Sequence, residues 1–264
     1  MQKSGQHKNF VIKMNEMARN MGMIHSTFKN PSGLTEKEQL STSYDLSLLT
    51  LRASANANIV RIWKKNNHYF SIKGKNERIM TIHNTVCNAQ LNNYYSVLGG
   101  KTGTVGFIKN LSVLVYSQEK IYVATILKAS GNRFHQMKLL MDSLFKSELK
   151  DIDANAYTVT EYPRYPVNIF TNIQLKSLVS KNETIANNPA SVTKLLTILT
   201  AFEYPLDLND TVQIQEEDIV EDHLNKILVG DILSLDDILH LMLLSSSNIS
   251  ANALSRYITE KYLY

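Results

Sequence analysis

The chain predicts an α/β fold of the α+β kind, with antiparallel hairpins and amphipathic helices. Three observations predict it. Residues 111–117 and 121–128 are two β-rich runs separated by Gln118-Glu119-Lys120, the pattern of a hairpin. Residues 133–149 carry Phe134, Met137, Leu140, Met141, Leu144 and Phe145 at helical spacing, which makes one apolar face. Residues 189–202 are apolar nearly all round, as a buried helix is. At 264 residues the chain is long enough to bury a sizeable core, in one large domain or two small ones.

The elements follow in order. Phe10, Val11, Met14, Met17, Ala18 and Met21 recur at helical spacing, and Gly22 supplies a stop. Asn30-Pro31-Ser32-Gly33 is a turn cluster. Leu46, Leu48, Leu49 and Leu51 suggest a second helix over 43–55, while 56–95 is Asn-rich and mixed, with a strand-like fragment at Tyr69-Phe70-Ser71-Ile72. The hairpin and the helix over 133–149 come next. Residues 150–166 hold two prolines and little periodicity and are expected to be a linker. A second hairpin is expected from 167–171 and 175–180 around Asn172. The buried helix follows. Ser234-Leu235-Asp236-Asp237 reads as a capping box opening a helix through 244, and 250–263 as the last helix.

Bulk properties exclude several classes of function. Hydrophobic content of 44% and charged content of 20% are ordinary for a globular protein and argue against disorder. The net charge is +4, from 28 basic and 24 acidic residues without a long basic block, so no nucleic-acid partner is expected. The single cysteine, Cys87, excludes an internal disulfide, and a small buried apolar role is expected for it. No His-x-x-x-His pair suggests zinc, and no metal or cofactor is expected. No apolar run reaches the roughly 18 residues of a transmembrane segment. Met1-Gln2-Lys3-Ser4-Gly5-Gln6-His7 is polar and has no apolar signal core, so a soluble chain without its own export signal is expected.

Three short motifs carry chemistry, and context has to select among their copies. Ser-x-x-Lys occurs five times: Ser26/Lys29, Ser117/Lys120, Ser143/Lys146, Ser147/Lys150 and Ser191/Lys194. A serine hydroxyl is a weak nucleophile and needs an adjacent base. Serine on the first turn of a buried helix, with lysine three residues on, puts both groups on one face. Burial then lowers the lysine pKa and frees a neutral amine. Only Ser191/Lys194 meets this requirement, because Leu195, Leu196, Ile198 and Leu199 make its helix apolar. Ser246-Ser247-Asn248 closes an apolar helix, where a serine can relay a proton and an asparagine amide can hold a carbonyl. Lys101-Thr102-Gly103 follows Gly99-Gly100 and opens the β-rich block. A lysine and a hydroxyl on an edge strand can clamp a carboxylate, and Gly103 permits close backbone approach.

Together these segments resemble the D-alanyl-D-alanine carboxypeptidases, the low-molecular-mass penicillin-binding proteins. Asn188-Pro189-Ala190-Ser191-Val192-Thr193-Lys194 is similar to that family's nucleophile segment, and Leu243-Leu244-Ser245-Ser246-Ser247-Asn248 to its Ser-x-Asn segment. Met21-Gly22-Met23, Asn30-Pro31-Ser32-Gly33-Leu34 and Ser41-Thr42-Ser43-Tyr44-Asp45-Leu46 resemble the stretch that normally follows, with Lys101-Thr102-Gly103 at the expected distance. In the family, Ser-x-x-Lys comes first and Lys-Thr-Gly last. The order here is restored by reading 167–264 and then 1–149, so the resemblance implies a circularly permuted domain joined by 150–166.

The resemblance further implies a transpeptidase-like fold: a mostly antiparallel five-stranded sheet, helices on both faces, and a helical region beside it. It implies Ser191 as nucleophile, Lys194 as base and Ser246 as proton relay. Asn248, Lys101, Thr102, Gly103 and Thr104 would hold substrate, with the Ser191 and Thr104 amides facing the oxyanion. The implied partners are a peptidoglycan peptide ending in D-Ala-D-Ala and β-lactam antibiotics, met outside the cytoplasmic membrane by a monomer or a segment-exchanged dimer. Ser247 stands where the family often has glycine, and Ile249 where it often has aspartate. Two rivals are a β-lactamase and a non-catalytic homologue. For the first, Glu221-Asp222-His223-Leu224-Asn225 mimics a lactamase Glu-x-x-Leu-Asn pattern, but it precedes Ser246 and is expected to be a polar loop. For the second, the full set of site residues argues against lost activity.

Overall fold

The computed structural model describes residues 7–146, 151–163, 173–224 and 226–264. Helices α1 (Lys8–Asn20), α2 (Ser43–Ala53) and α3 (Ala57–Trp63) lead into the strands β1 (Asn67–Gly74) and β2 (Arg78–His83). After the short α4 (Ala89–Asn92) come β3 (Ser96–Val105), β4 (Ile108–Ser117), β5 (Lys120–Ala129) and α5 (Arg133–Lys146). Then follow β6 (Ala154–Glu161), β7 (Ser177–Lys181), α6 (Thr193–Ala201), β8 (Thr211–Gln213), β9 (Asp231–Ser234), α7 (Leu235–His240) and α8 (Asn248–Ile258).

One antiparallel sheet runs β3-β4-β5-β6-β7, so both halves of the chain build it. Alternation along β4 and β5 decides which helix covers which face. Leu111, Val113, Val115, Tyr122, Ala124 and Ile126 pack with Met137, Leu140 and Met141 of α5. Ser112, Leu114, Val123, Thr125 and Leu127 point the other way, toward α2. There the contact is partly polar: Ser43 meets Thr158 at 2.7 Å, Ser47 donates to Thr125 at 2.8 Å and Thr50 meets Ser112 at 2.6 Å. Residues 43, 47 and 50 lie one above the other on a helix, so a single face of α2 supplies the three hydroxyl rungs. Leu46 and Leu49 flank them in the main core.

Local chemistry explains the ends of these elements. Gly22 takes φ +88° and closes α1, its N–H bonding the Arg19 carbonyl at 2.9 Å. Thr42 caps α2 by accepting from the Asp45 amide, and Ser234 caps α7 by accepting from Asp237. Ser117 pairs with Lys120, leaving a two-residue turn in which Gln118 and Glu119 both have positive φ.

Two expectations need correction. Residues 150–166 are not simply a linker: β6 lies within them and is a central strand between β5 and β7. Besides Val159 it buries Ala154, Ala156, Thr158 and Thr160 where a core strand usually shows large apolar residues, and Thr158 meets the Ser43 hydroxyl of α2. The first arm of the expected second hairpin, 167–171, lies outside the described residues, and β7 pairs with β6. Cys87 is exposed, and its neighbour Val86 takes the buried place instead. The mixed region 56–95 also resolves into strands: β1 and β2 join β9 and β8 in a four-stranded sheet of order β2-β1-β9-β8.

Candidate active site

Ser191 sits in a single 3₁₀ turn, Ala190–Val192, that feeds α6. The turn is held from three sides. Asn188 accepts from the Ala190 amide at 2.8 Å, and Asn110 of β4 donates to the Asn188 carbonyl at 2.8 Å. Ala190 adopts the left-handed φ of +48°, a strained value for a residue with a side chain. Gly33 packs directly beneath: a Cβ there would lie 2.1 Å from the Ala190 carbonyl oxygen. On the other side β3 passes so close at Gly103 that a Cβ would meet the Ala190 methyl at 3.1 Å.

Lys194 is fully buried one turn below the serine. Its Nζ lies 2.9 Å from Ser191 Oγ, 2.6 Å from Asn248 Oδ1 and 2.6 Å from the Ser32 carbonyl. Two of these partners can only accept. Asn248 presents its oxygen to the lysine because its Nδ2 donates to the Glu221 carbonyl at 2.7 Å. A neutral amine has two protons and one lone pair. Its protons therefore satisfy Ser32 and Asn248, and the lone pair faces the Ser191 hydroxyl. Burial drives the Lys194 pKa down to about 7, opposed in part by the carboxylate of Asp222.

Lys101 of β3 is also fully buried and donates to Ser246 Oγ at 2.8 Å and to the Thr102 carbonyl at 3.0 Å. Burial, then the neighbouring Lys194 and Arg133, hold its pKa well below the ordinary lysine value. Ser246 takes φ +67° at the end of a π-helical turn, Leu241–Ser245, which projects its hydroxyl into the cleft. Thr102 Oγ1 lies 2.9 Å from Thr85 Oγ1. Arg133 of α5 donates to the Gly103 and Asn110 carbonyls and to Thr104 Oγ1, bracing the end of β3.

Comparison with known proteins points the same way as the geometry. Residues 2–129 match the peptidase S11 family, described as D-alanyl-D-alanine carboxypeptidase, and residues 144–263 match a β-lactamase enzyme family. A D-alanyl-D-alanine carboxypeptidase of Bacillus subtilis (strain 168), DacF, is 25% identical over 183 residues. The chain is peptidase S11-like. The match covers 69% of this S11-like chain and spans 40% of the length of DacF. No solved structure matches. The fold is of the β-lactamase/transpeptidase-like type.

Of the residues selected from sequence, Ser191, Lys194 and Asn248 are joined by direct hydrogen bonds, and so are Lys101 and Ser246, whose turn also carries Asn248. Thr102 and Gly103 line the same strand. Thr104 is exposed, with its hydroxyl turned to Arg133. Several contributors were missed. The Ser32 and Glu221 carbonyls carry no residue-type signal, since every residue has one. The Glu221-Asp222-His223 stretch was expected to be an ordinary polar loop, yet it lies against the Ser246–Asn248 turn. Glu221 is exposed, Asp222 is buried, and Asn225 lies outside the described residues.

Proposed function

We propose that this chain is a serine-type D-Ala-D-Ala carboxypeptidase that works through an acyl-enzyme and is acylated by penicillin. One observation carries the reading: the Lys194 amine has two obligatory acceptors and one hydroxyl around it, so its lone pair is aimed at Ser191. Ser191 Oγ attacks the carbonyl of the terminal D-Ala-D-Ala bond as its proton passes to Lys194 Nζ. The tetrahedral oxyanion is held by the Ser191 and Thr104 amides, at about 3 kcal/mol per donor. Ser246 delivers a proton to the departing D-alanine nitrogen, with Lys101 beside it as the proton source. The free carboxylate of the substrate lies against Lys101 and Thr102, and the Asn248 amide orients the peptide. Water then cleaves the ester and restores Ser191. The substrate is a peptidoglycan stem peptide met outside the cytoplasmic membrane.

The order of the two family matches, and one sheet drawn from both halves, support a circularly permuted arrangement of a single domain. The test of function is intact-mass measurement after incubation with penicillin. One covalent adduct, absent in Ser191→Ala, is expected; no adduct, or one that persists in that variant, defeats the proposal. The β-lactamase match over 144–263 favours a second reading, a β-lactamase. Rapid turnover of a chromogenic cephalosporin would select it.

A further inference from the structure

The loop grips the Ser246–Asn248 turn with two consecutive residues, Glu221 and Asp222. The Glu221 carbonyl accepts from Asn248 Nδ2 at 2.7 Å. Asp222 Oδ2 accepts from Ser247 Oγ at 2.5 Å and from the Ile249 amide at 3.4 Å. Ser247 does double duty, since the same oxygen accepts from the Ser250 amide at 3.2 Å and caps α8. One hydroxyl therefore ties together a loop, a catalytic turn and a helix. Sequence resemblance would favour glycine at this position, which has no such hydroxyl.

Asp222 is only 2% exposed, and an ionised carboxylate is costly to bury without a cation. Its nearest ionisable neighbour is His223, whose Nδ1 is 3.7 Å away and whose pKa is lowered, first by burial. The Ser247 hydroxyl and the Ile249 amide donate to it, which ties the buried carboxylate to the turn.

We propose that Asp222 is a positioning residue: through Ser247 and the Ile249 amide it fixes the Ser246–Asn248 turn. The proposal rests on the carboxypeptidase reading above, because it is measured by acylation.

Ser247→Ala removes the bond to Asp222, Asp222→Ala removes the carboxylate, and Asp222→Asn keeps an oxygen for Ser247. The concentration dependence of acylation by fluorescent penicillin separates the plateau rate from the half-saturating concentration. Ser247→Ala and Asp222→Ala are each expected to lower the plateau about tenfold, Asp222→Asn to recover most of it, and the double alanine variant to lose no more than either single one. A full plateau rate in Ser247→Ala, or losses that multiply in the double variant, overturns the positioning role. Should Asp222→Ala fail to fold, Ser247→Ala and Asp222→Asn decide it by the same readout. If the parent protein takes up no penicillin, the carboxypeptidase reading fails; the urea midpoints of the same variants then read the contact, and a Ser247→Ala midpoint equal to the parent's overturns it.

Discussion

The Lys194 amine is the most exacting place to test this site. With a midpoint of about 7, the amine is about half neutral at pH 7, about a tenth at pH 6 and about a hundredth at pH 5. The second-order rate of acylation by fluorescent penicillin, followed by stopped flow, is therefore expected to fall tenfold per pH unit below about 7. Above about pH 8 it should level off. Lys194→Arg keeps a cation that no burial of this kind deprotonates, so it should lose about a thousandfold or more at every pH. Stability carries the same signature. Between about 7 and 10.5 the unfolded chain holds a proton on Lys194 that the folded chain has released. Folding is thus favoured as pH rises through that window, by about 1.4 kcal/mol per unit from this group, and is penalised by the full amount below it. Lys194→Met should flatten that slope in urea titrations. A parent acid limb near or below pH 5, or parent-like acylation by Lys194→Arg, would refute the assignment of this amine as base.

Other outcomes follow from neighbouring contacts. Gly33→Ala forces a methyl onto the Ala190 carbonyl at a φ of +85°, so it should cost about 2–4 kcal/mol and slow acylation by moving the nucleophile turn; equal acylation rates would show that the turn tolerates the shift. Ser47→Ala removes one hydroxyl rung between α2 and β5 and should lower stability by about 1 kcal/mol in denaturant titration, without changing the acid limb of acylation. Asp218→Asn removes the charge that holds Arg256 Nε and Nη2 at 3.0 and 2.9 Å; because Gln213 and Glu260 still bind the guanidinium, it should cost about 1–3 kcal/mol in denaturant titration. Binding of an anionic ligand beside Lys101, whose pKa burial holds down, should draw in a proton; calorimetry in buffers of different ionisation heat reads it as a buffer-dependent enthalpy that Lys101→Met removes.

Much of the frame was legible in the residues. Helices α1 and α2 show their buried faces as regular apolar spacing, and the β4–β5 hairpin as two β-rich runs around a short polar turn. Ser191 stood out from four other Ser-x-x-Lys copies because only its helix is apolar on every side, which is the condition that lowers a lysine pKa. Strand β6 escaped because, apart from Val159, its buried residues are Ala and Thr, which leave little apolar pattern to read. Asp222 escaped for a related reason: on paper it is one more charge in a polar loop, and its burial depends on Ser247 arriving from 25 residues away.

Order along the chain determined which groups could serve as nucleophile, base and relay, since Ser191 and Lys194 share one helical turn whatever the rest of the molecule does. Only the tertiary structure decided that Lys101 of β3 meets Ser246, that Ser32 and Glu221 lend carbonyls, and that Asp222 lies under the turn. Helical spacing is a property of neighbouring residues and can be read locally. Backbone acceptors and buried charges acquire their chemistry from what the packing of distant segments places against them, and from the water that packing removes.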